Sequence, residues 1–191
     1  KIKKNRKQLN LGMNIANNPK GEDELKYINN CDMSLIVSKY EYEYLKNEEN
    51  LKKIYYSPIC YEMENDYNRK IEDTKDIYFI GSGYNANVDA LRHFLKNQWE
   101  FIIERLGNIK LHIIGFGLTN LKVEYKKNPT IVFHGYVPDE KLNDIIMKCR
   151  INIVPLRYGG GIKGKILQSL NLKIPCIATK VAVEGMELID R

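Results

Sequence analysis

The stretch Arg150–Thr179, RINIVPLRYGGGIKGKILQSLNLKIPCIAT, leaves a chain few ways to fold. Ile151 to Leu156 is an apolar, β-branched run of the kind that makes a strand buried on both faces. Gly159, Gly160 and Gly161 follow, then Ile162, Lys163, Gly164 and Lys165. A helical pattern comes next, with Ile166, Leu167, Leu170 and Leu172 on its apolar side, and Pro175 opens a second apolar strand through Ala178. Strand, glycine-rich basic loop, helix, strand is a βαβ unit with parallel strands. Glycine lets the backbone approach a ligand closely. N–H groups at a helix start attract an anion, and two lysines add charge. The stretch therefore predicts a phosphate or diphosphate held near Lys165. Gly159, Gly164 and Lys165 match most of a Walker A loop, but Ile166 stands where Ser or Thr would bind magnesium. Gly159, Gly161 and Gly164 also fit G-x-G-x-x-G, which belongs in the first βα turn of a domain, whereas this loop comes late.

The residues before it alternate in the same way. Strands are expected at Ile77 to Ile80, Leu111 to Ile114 and Ile131 to Phe133. Between them lie a loop, Gly81 to Asn87, a helix over Val88 to Leu106, and a short helix over Leu118 to Lys126. Leu91, Phe94, Leu95 and Ile102 line the long helix at helical spacing, and Trp99 reads as a core or helix-face residue. A helix over Pro138 to Cys149 places Leu142, Ile145, Ile146 and Cys149 inward, with Asp139 and Glu140 favouring its dipole. This order predicts an α/β fold: a Rossmann-like parallel sheet with helices on both faces. Its glycines cluster at strand carboxyl ends, the edge where open α/β sheets bind ligands.

The first third is less regular. Residues 1–21 read as loop or frayed helix, Glu22 to Asn29 as a helix, Met33 to Val37 and Ile54 to Tyr56 as short strands. Ser38, Lys39, Tyr40 and Glu41 form a capping box that starts a helix running to Asn47. The polar stretch 62–75 reads as a linker between residues 1–61 and a domain over 76–191.

Charge narrows the partners. Residues 1–75 carry 14 basic and 13 acidic residues, and residues 76–191 carry 16 and 11, so the excess sits with the glycine loops. That suits an anionic small molecule or an acidic membrane surface. Nucleic acid is disfavoured, because no RNP motif, recognition helix or zinc-finger spacing is present. No run approaches the ~20 apolar residues of a transmembrane helix. Cys31, Cys60, Cys149 and Cys176 are widely spaced and read as buried thiols of a reducing cytoplasm, not as disulfides or metal ligands. His93 and His112 read as packing or surface residues, and His134 as a neighbour of the ligand edge. The tyrosines, Tyr40, Tyr42 and Tyr44 among them, read as amphipathic packing rather than a sugar platform.

Longer patterns carry a resemblance. P-L-R-Y-G-G-G-I-K-G-K-I-L-Q-S-L, then I-P-C-I-A-T and V-E-G-M, resembles the donor-binding core of group 1 (family 4) glycosyltransferases, whose GT-B fold sets two Rossmann-like domains around a cleft. F-I-G-S-G-Y-N-A-N-V-D-A-L resembles the first strand and loop of that donor domain, L-H-I-I-G-F-G its second strand, and H-G-Y-V-P-D-E-K-L the turn that packs the nucleobase. S-K-Y-E-Y-E-Y-L resembles the last strand and helix of the acceptor domain. On this resemblance residues 1–61 are the remnant of an acceptor-side domain, and residues 76–191 are a donor domain cut short at its end.

The resemblance implies transfer of a sugar from a nucleotide-sugar, with retained anomeric configuration, to a glycan or lipid-linked acceptor. The donor is a UDP- or GDP-sugar, and no cofactor or metal is implied. Lys165 would neutralise the diphosphate, supported by Lys163, Arg157, Gly159, Gly160 and Gly161, because charge building on the departing diphosphate is what such a site must stabilise. Gly81, Ser82 and Asn87 would face the phosphates or sugar. Gly135, Tyr136 and Val137 would hold the base, Gln168 the ribose, and Glu184 would lie on the acceptor side. Two departures stand out. Many members pair two glutamates seven residues apart, where this chain has Gly160 and Gln168. GT-B enzymes are also about twice this length, and the missing acceptor domain usually supplies a catalytic histidine, so the chain reads as a fragment with no nameable catalytic residue. The alternative is a non-catalytic nucleotide-binding subunit with a separate acceptor-domain partner. The expected location is cytoplasmic, at the inner membrane surface if lipid-linked acceptors are used.

Overall fold

The computed structural model describes residues 19–47, 49, 51–60, 70–186 and 188. The chain divides into two compact units: Lys1–Cys60 with Tyr158–Ile162 and Val183–Arg191, and Tyr61–Arg157 with Lys163–Ala182. The expected loop over residues 1–21 lies almost wholly outside the described residues, and so does the expected linker as far as residue 69.

The first unit holds helix α1 (Pro19–Asn30), strand β1 (Ser34–Ile36), helix α2 (Lys39–Asn47) and strand β2 (Ile54–Tyr56). The two strands pair in parallel, Leu35 opposite Tyr55. The capping box starts α2 as expected: Glu41 N–H donates to Ser38 Oγ at 3.4 Å. Leu45 of α2 and Ile54 of β2 are buried, whereas Leu35 and Tyr55 face solvent. Gly185, with φ +78°, leaves a space that a Cβ would close, 2.9 Å from Ser38 Oγ and 3.3 Å from Ile162 Cδ1.

The second unit is a five-stranded parallel sheet. Strands β3 (Asp76–Ile80), β4 (Leu111–Ile114), β5 (Ile131–Gly135), β6 (Cys149–Val154) and β7 (Cys176–Ala178) lie in the order β5-β4-β3-β6-β7. Helices α3 (Asn85–Phe94), α4 (Glu100–Leu106), α5 (Thr119–Glu124), α6 (Asp139–Ile146) and α7 (Gly164–Asn171) connect them. Both faces are covered, as a parallel sheet requires. Ile77 and Phe79 of β3 pack with Leu91, Phe94, Leu95, Trp99 and Leu121, while Tyr78, between them, joins Leu142, Ile146, Leu172 and Ile174 on the opposite face. Alternate residues of one strand thus serve two cores, which is the Rossmann-like arrangement expected of this stretch.

Several local expectations shift. The long helix contains a π-helical turn, Leu95–Trp99. A row spaced by four drifts around an α-helix of 3.6 residues per turn, and the wider turn keeps Leu91, Leu95 and Trp99 over the sheet. Trp99, 2% exposed, donates from Nε1 to Thr130 Oγ1 at 2.9 Å. The helix expected to reach Cys149 ends at Ile146, and Cys149 instead starts β6. On α7 Ser169 rather than Leu170 faces inward, leaving Leu170 42% exposed. Ser169 Oγ donates to Ile174 O at 3.2 Å, so Tyr78 OH donates to Ser169 Oγ at 2.7 Å. Burying a hydroxyl costs little when both of its roles are satisfied. Cys31 and Cys60 are exposed, not buried, whereas Cys149 is buried as expected. Six tyrosines, Tyr27, Tyr55, Tyr56, Tyr84, Tyr136 and Tyr158, are exposed rather than packed. Among the described residues no helix is long and apolar enough to cross a membrane.

Candidate functional site

Strand order reverses between β3 and β6, the topological switch point of the sheet. Two helices begin at that edge, α3 after the β3 loop and α7 after the β6 loop. Neither N-cap residue, Tyr84 or Lys163, caps its helix with a side-chain hydrogen bond. The switch point therefore gathers two helix N-termini, each with a partial positive charge.

Lys165 sits in the first turn of α7, and its ammonium crosses to α3. Nζ donates to Asn87 Oδ1 at 3.0 Å and lies 4.5 Å from the centre of the buried Phe79 ring. Asn87 Nδ2 donates in turn to Ser82 O at 3.1 Å. Gly81 makes room for this arrangement. A Cβ there would lie 2.8 Å from both Asn87 Cγ and Phe79 Cε1. Asn152 on β6, fully buried, donates from Nδ2 to Lys165 O at 3.2 Å and so pins the first turn of α7. Its Oδ1 has no partner among the described residues. Burial, and then the positive charge of Lys163, lower the Lys165 pKa from 10.5 to about 8. No carboxylate among the described residues pairs with this ammonium. An arriving anion would supply the missing counter-charge.

The remaining candidates divide between the units. Gly81, Ser82, Asn87, Arg157, Lys163, Lys165, Gln168, Gly135, Tyr136 and Val137 belong to the second unit, and Gly159, Gly160, Gly161 and Glu184 to the first. Arg157 pairs with Asp89 of α3, Nη1 to Oδ1 at 3.3 Å. Gly135 ends β5 with φ +70°, and its carbonyl accepts from Gly115 N–H at 2.8 Å. Tyr136 is 73% exposed, and Val137 packs on the Tyr78 side of the sheet. Gln168 is half-buried on α7. Sequence reasoning missed Phe79 and Asn152 as supports of Lys165. A lone Asn inside the run Ile151 to Val154 was the available signal, because a fully buried amide needs partners.

His134 is engaged in structure. Its Nε2 lies 2.8 Å from His112 Nδ1, the rings stack at 5.1 Å, and His112 Nε2 lies 3.2 Å from Asp76 Oδ2. Asp76 only accepts when ionised, so His112 donates from Nε2 and its Nδ1 accepts from His134. Burial, and then His112, depress the His134 pKa below 6.5. The unfolded chain then binds the proton more readily, so stability is full above about pH 6.5 and is lost as pH falls below it. Thermal unfolding scans from pH 7.5 to 5 should show this acid loss, with a shallower slope for His134→Gln.

The comparisons with known proteins agree with this fold. The family model described as "Glycosyl transferases group 1" matches residues 74–191, well over half of the chain. The chain belongs to the group 1 glycosyl transferases. No curated protein matches it significantly. Among solved structures, S. aureus TarM in complex with UDP superimposes with a TM-score of 0.72 at 13% identity, covering 95% of this chain and 37% of that one. Anabaena HepE in complex with UDP and glucose gives 0.65 at 9%, covering 89% and 50%. Sucrose-phosphate synthase from Thermosynechococcus elongatus gives 0.65 at 15%, covering 93% and 48%. At such identities the likeness is one of fold. The chain spans half or less of these proteins' own lengths.

Proposed function

We propose that the chain is the donor-binding part of a glycosyltransferase that moves a sugar from a UDP- or GDP-sugar to a glycan or lipid-linked acceptor, with retention of configuration. One observation carries the reading: Lys165 presents a half-buried ammonium at the switch point, braced by neutral groups and, among the described residues, matched by no carboxylate. Such a group gains most from a ligand with concentrated negative charge, and a diphosphate leaving group is that ligand. UDP in the TarM and HepE structures supports a nucleotide donor. In this reading Lys163 and the α7 N-terminus add to the field at the phosphates, and Gly135 to Val137 border the base. Contact with a membrane would run through the basic surface and calls for no anchor in these residues. Gln168 and Gly160, where many relatives have carboxylates, favour a second reading: a non-catalytic nucleotide-binding subunit completed by an acceptor-domain partner.

Calorimetric titration with UDP, GDP, ADP and the matching sugars tests the proposal. Binding of one uridine or guanosine nucleotide, displaced by pyrophosphate, is expected. Heats indistinguishable from buffer for all of them would overturn it. Sugar transfer to an added acceptor separates the first reading from the second.

A further inference from the structure

Asn87 carries more information than its place near the phosphates. A side-chain amide offers two donors on one end and an acceptor on the other. Here the two ends meet groups that admit only one orientation. Lys165 Nζ can only donate, so it must face Asn87 Oδ1, and the Ser82 carbonyl can only accept, so it must face Nδ2. Aspartate could satisfy the lysine but would set a carboxylate against the Ser82 carbonyl. Leucine could satisfy neither. Gly81 leaves the space this amide occupies, since a methyl there would strike Asn87 Cγ and Nδ2 within 3 Å. The orientation of the amide is thus set at both ends, by Lys165 and by Ser82.

We infer that Asn87 is a positioning residue: its amide bridges the Ser82 carbonyl and the Lys165 ammonium and aims that ammonium at the switch point without neutralising it. This rests on the reading of Lys165 as the diphosphate-binding group. A neutral acceptor suits the task. It orients the ammonium by hydrogen bonding while leaving the charge available, whereas a carboxylate would form an ion pair that an incoming diphosphate must break. Among the described residues the charged side chain that acts on this ammonium is Lys163, which precedes α7. From β3 the Phe79 ring faces the ammonium.

The test reads Lys165 directly. In the whole chain labelled with 13Cε-lysine, the Lys165 resonance is assigned by its loss in Lys165→Arg and titrated from pH 6 to 11. Wild type should titrate near pH 8. Asn87→Asp should raise that midpoint by about 1–3 units, as an opposite charge at hydrogen-bonding distance does. Asn87→Leu should lower it, because the charged form loses its acceptor. Gly81→Ala, which displaces the amide without changing its chemistry, should move it in the direction of Asn87→Leu. Midpoints that coincide in wild type, Asn87→Asp and Asn87→Leu would overturn the inference. A second arm measures inorganic pyrophosphate. Affinity should fall about tenfold or more in Asn87→Asp, the order expected for losing one charged hydrogen bond. If the midpoints shift but wild type binds no pyrophosphate, the positioning role stands and the donor-binding reading fails. If wild type and Asn87→Asp bind pyrophosphate equally and the midpoints do not move, the reverse holds.

Discussion

Gly115→Ala should destabilise the protein by about 3–5 kcal/mol, measured by urea denaturation with the fluorescence of the single, buried tryptophan Trp99 as the probe. Two independent costs add. Gly115 has φ +138°, where a side chain is strained. Its Cβ would also stand 2.0 Å from Gly81 O and 2.7 Å from Gly81 C, so backbone rather than a flexible side chain must give way. The two loops are already joined on either side: Gly81 N–H donates to Ile114 O at 2.9 Å, and Gly83 N–H to Phe116 O at 2.8 Å. Moving Gly81 away therefore breaks ladder bonds and drags the Ser82 carbonyl from Asn87. Gly107→Ala is the control. Gly107 has φ +69° but nothing within 4 Å of a Cβ, so it carries backbone strain alone, about 1–3 kcal/mol. Equal losses for the two variants would mean that the loop–loop approach is looser than the structure shows.

That approach also marks where sequence reading reaches its limit. Glycines at 81, 83, 115 and 117 were visible as loop residues after strands, and their place at the ligand edge followed from strand order. Their partners were not visible. A Cβ on Gly83 would meet the Gly117 carbonyl at 2.2 Å, and which glycine meets which depends on sheet register, a long-range property. The same holds for His112 and His134, which looked like separate residues on two strands until β4 and β5 were aligned in register. Periodicity reports which way a residue faces from its own element. It predicted Leu91, Phe94, Leu142 and Ile146 inward, and it failed at Ser169 and Leu170. There a buried tyrosine hydroxyl on β3 needed a polar partner, and Ser169 took the inward position. Lys165 could be read from sequence because charge, glycine and a helix start lie together in the chain. Its supports come from β3, α3 and β6, and only the fold collects them.

Lys165→Met should lower the affinity for pyrophosphate or the cognate nucleotide roughly 10–100-fold at pH 7, the loss expected for a charged hydrogen bond and its Coulomb attraction. The same change should leave the fold no less stable at neutral pH, because the ammonium is a burden to the free protein. Its pKa falls from 10.5 in the unfolded chain to about 8 in the folded one. Between those values the unfolded chain binds more protons, so wild-type stability rises with pH across the window, by on the order of 3 kcal/mol in all. Below about pH 8 the full cost of holding the charge in place is present. Methionine carries no proton, so the variant should show no such rise from pH 8 to 10.5, although the orphaned Asn87 oxygen costs it part of what the lost charge returns. Ligand binding should reverse the wild-type trend. A bound diphosphate favours the charged lysine and raises its pKa, so affinity is highest below about pH 8 and falls above it, while Lys165→Met binds weakly and evenly throughout. Stability scans and ligand titrations on the same pH series thus have opposite signs in wild type and are flat in the variant. Only a group whose charge is costly in the empty site and useful in the filled one produces that pair of curves.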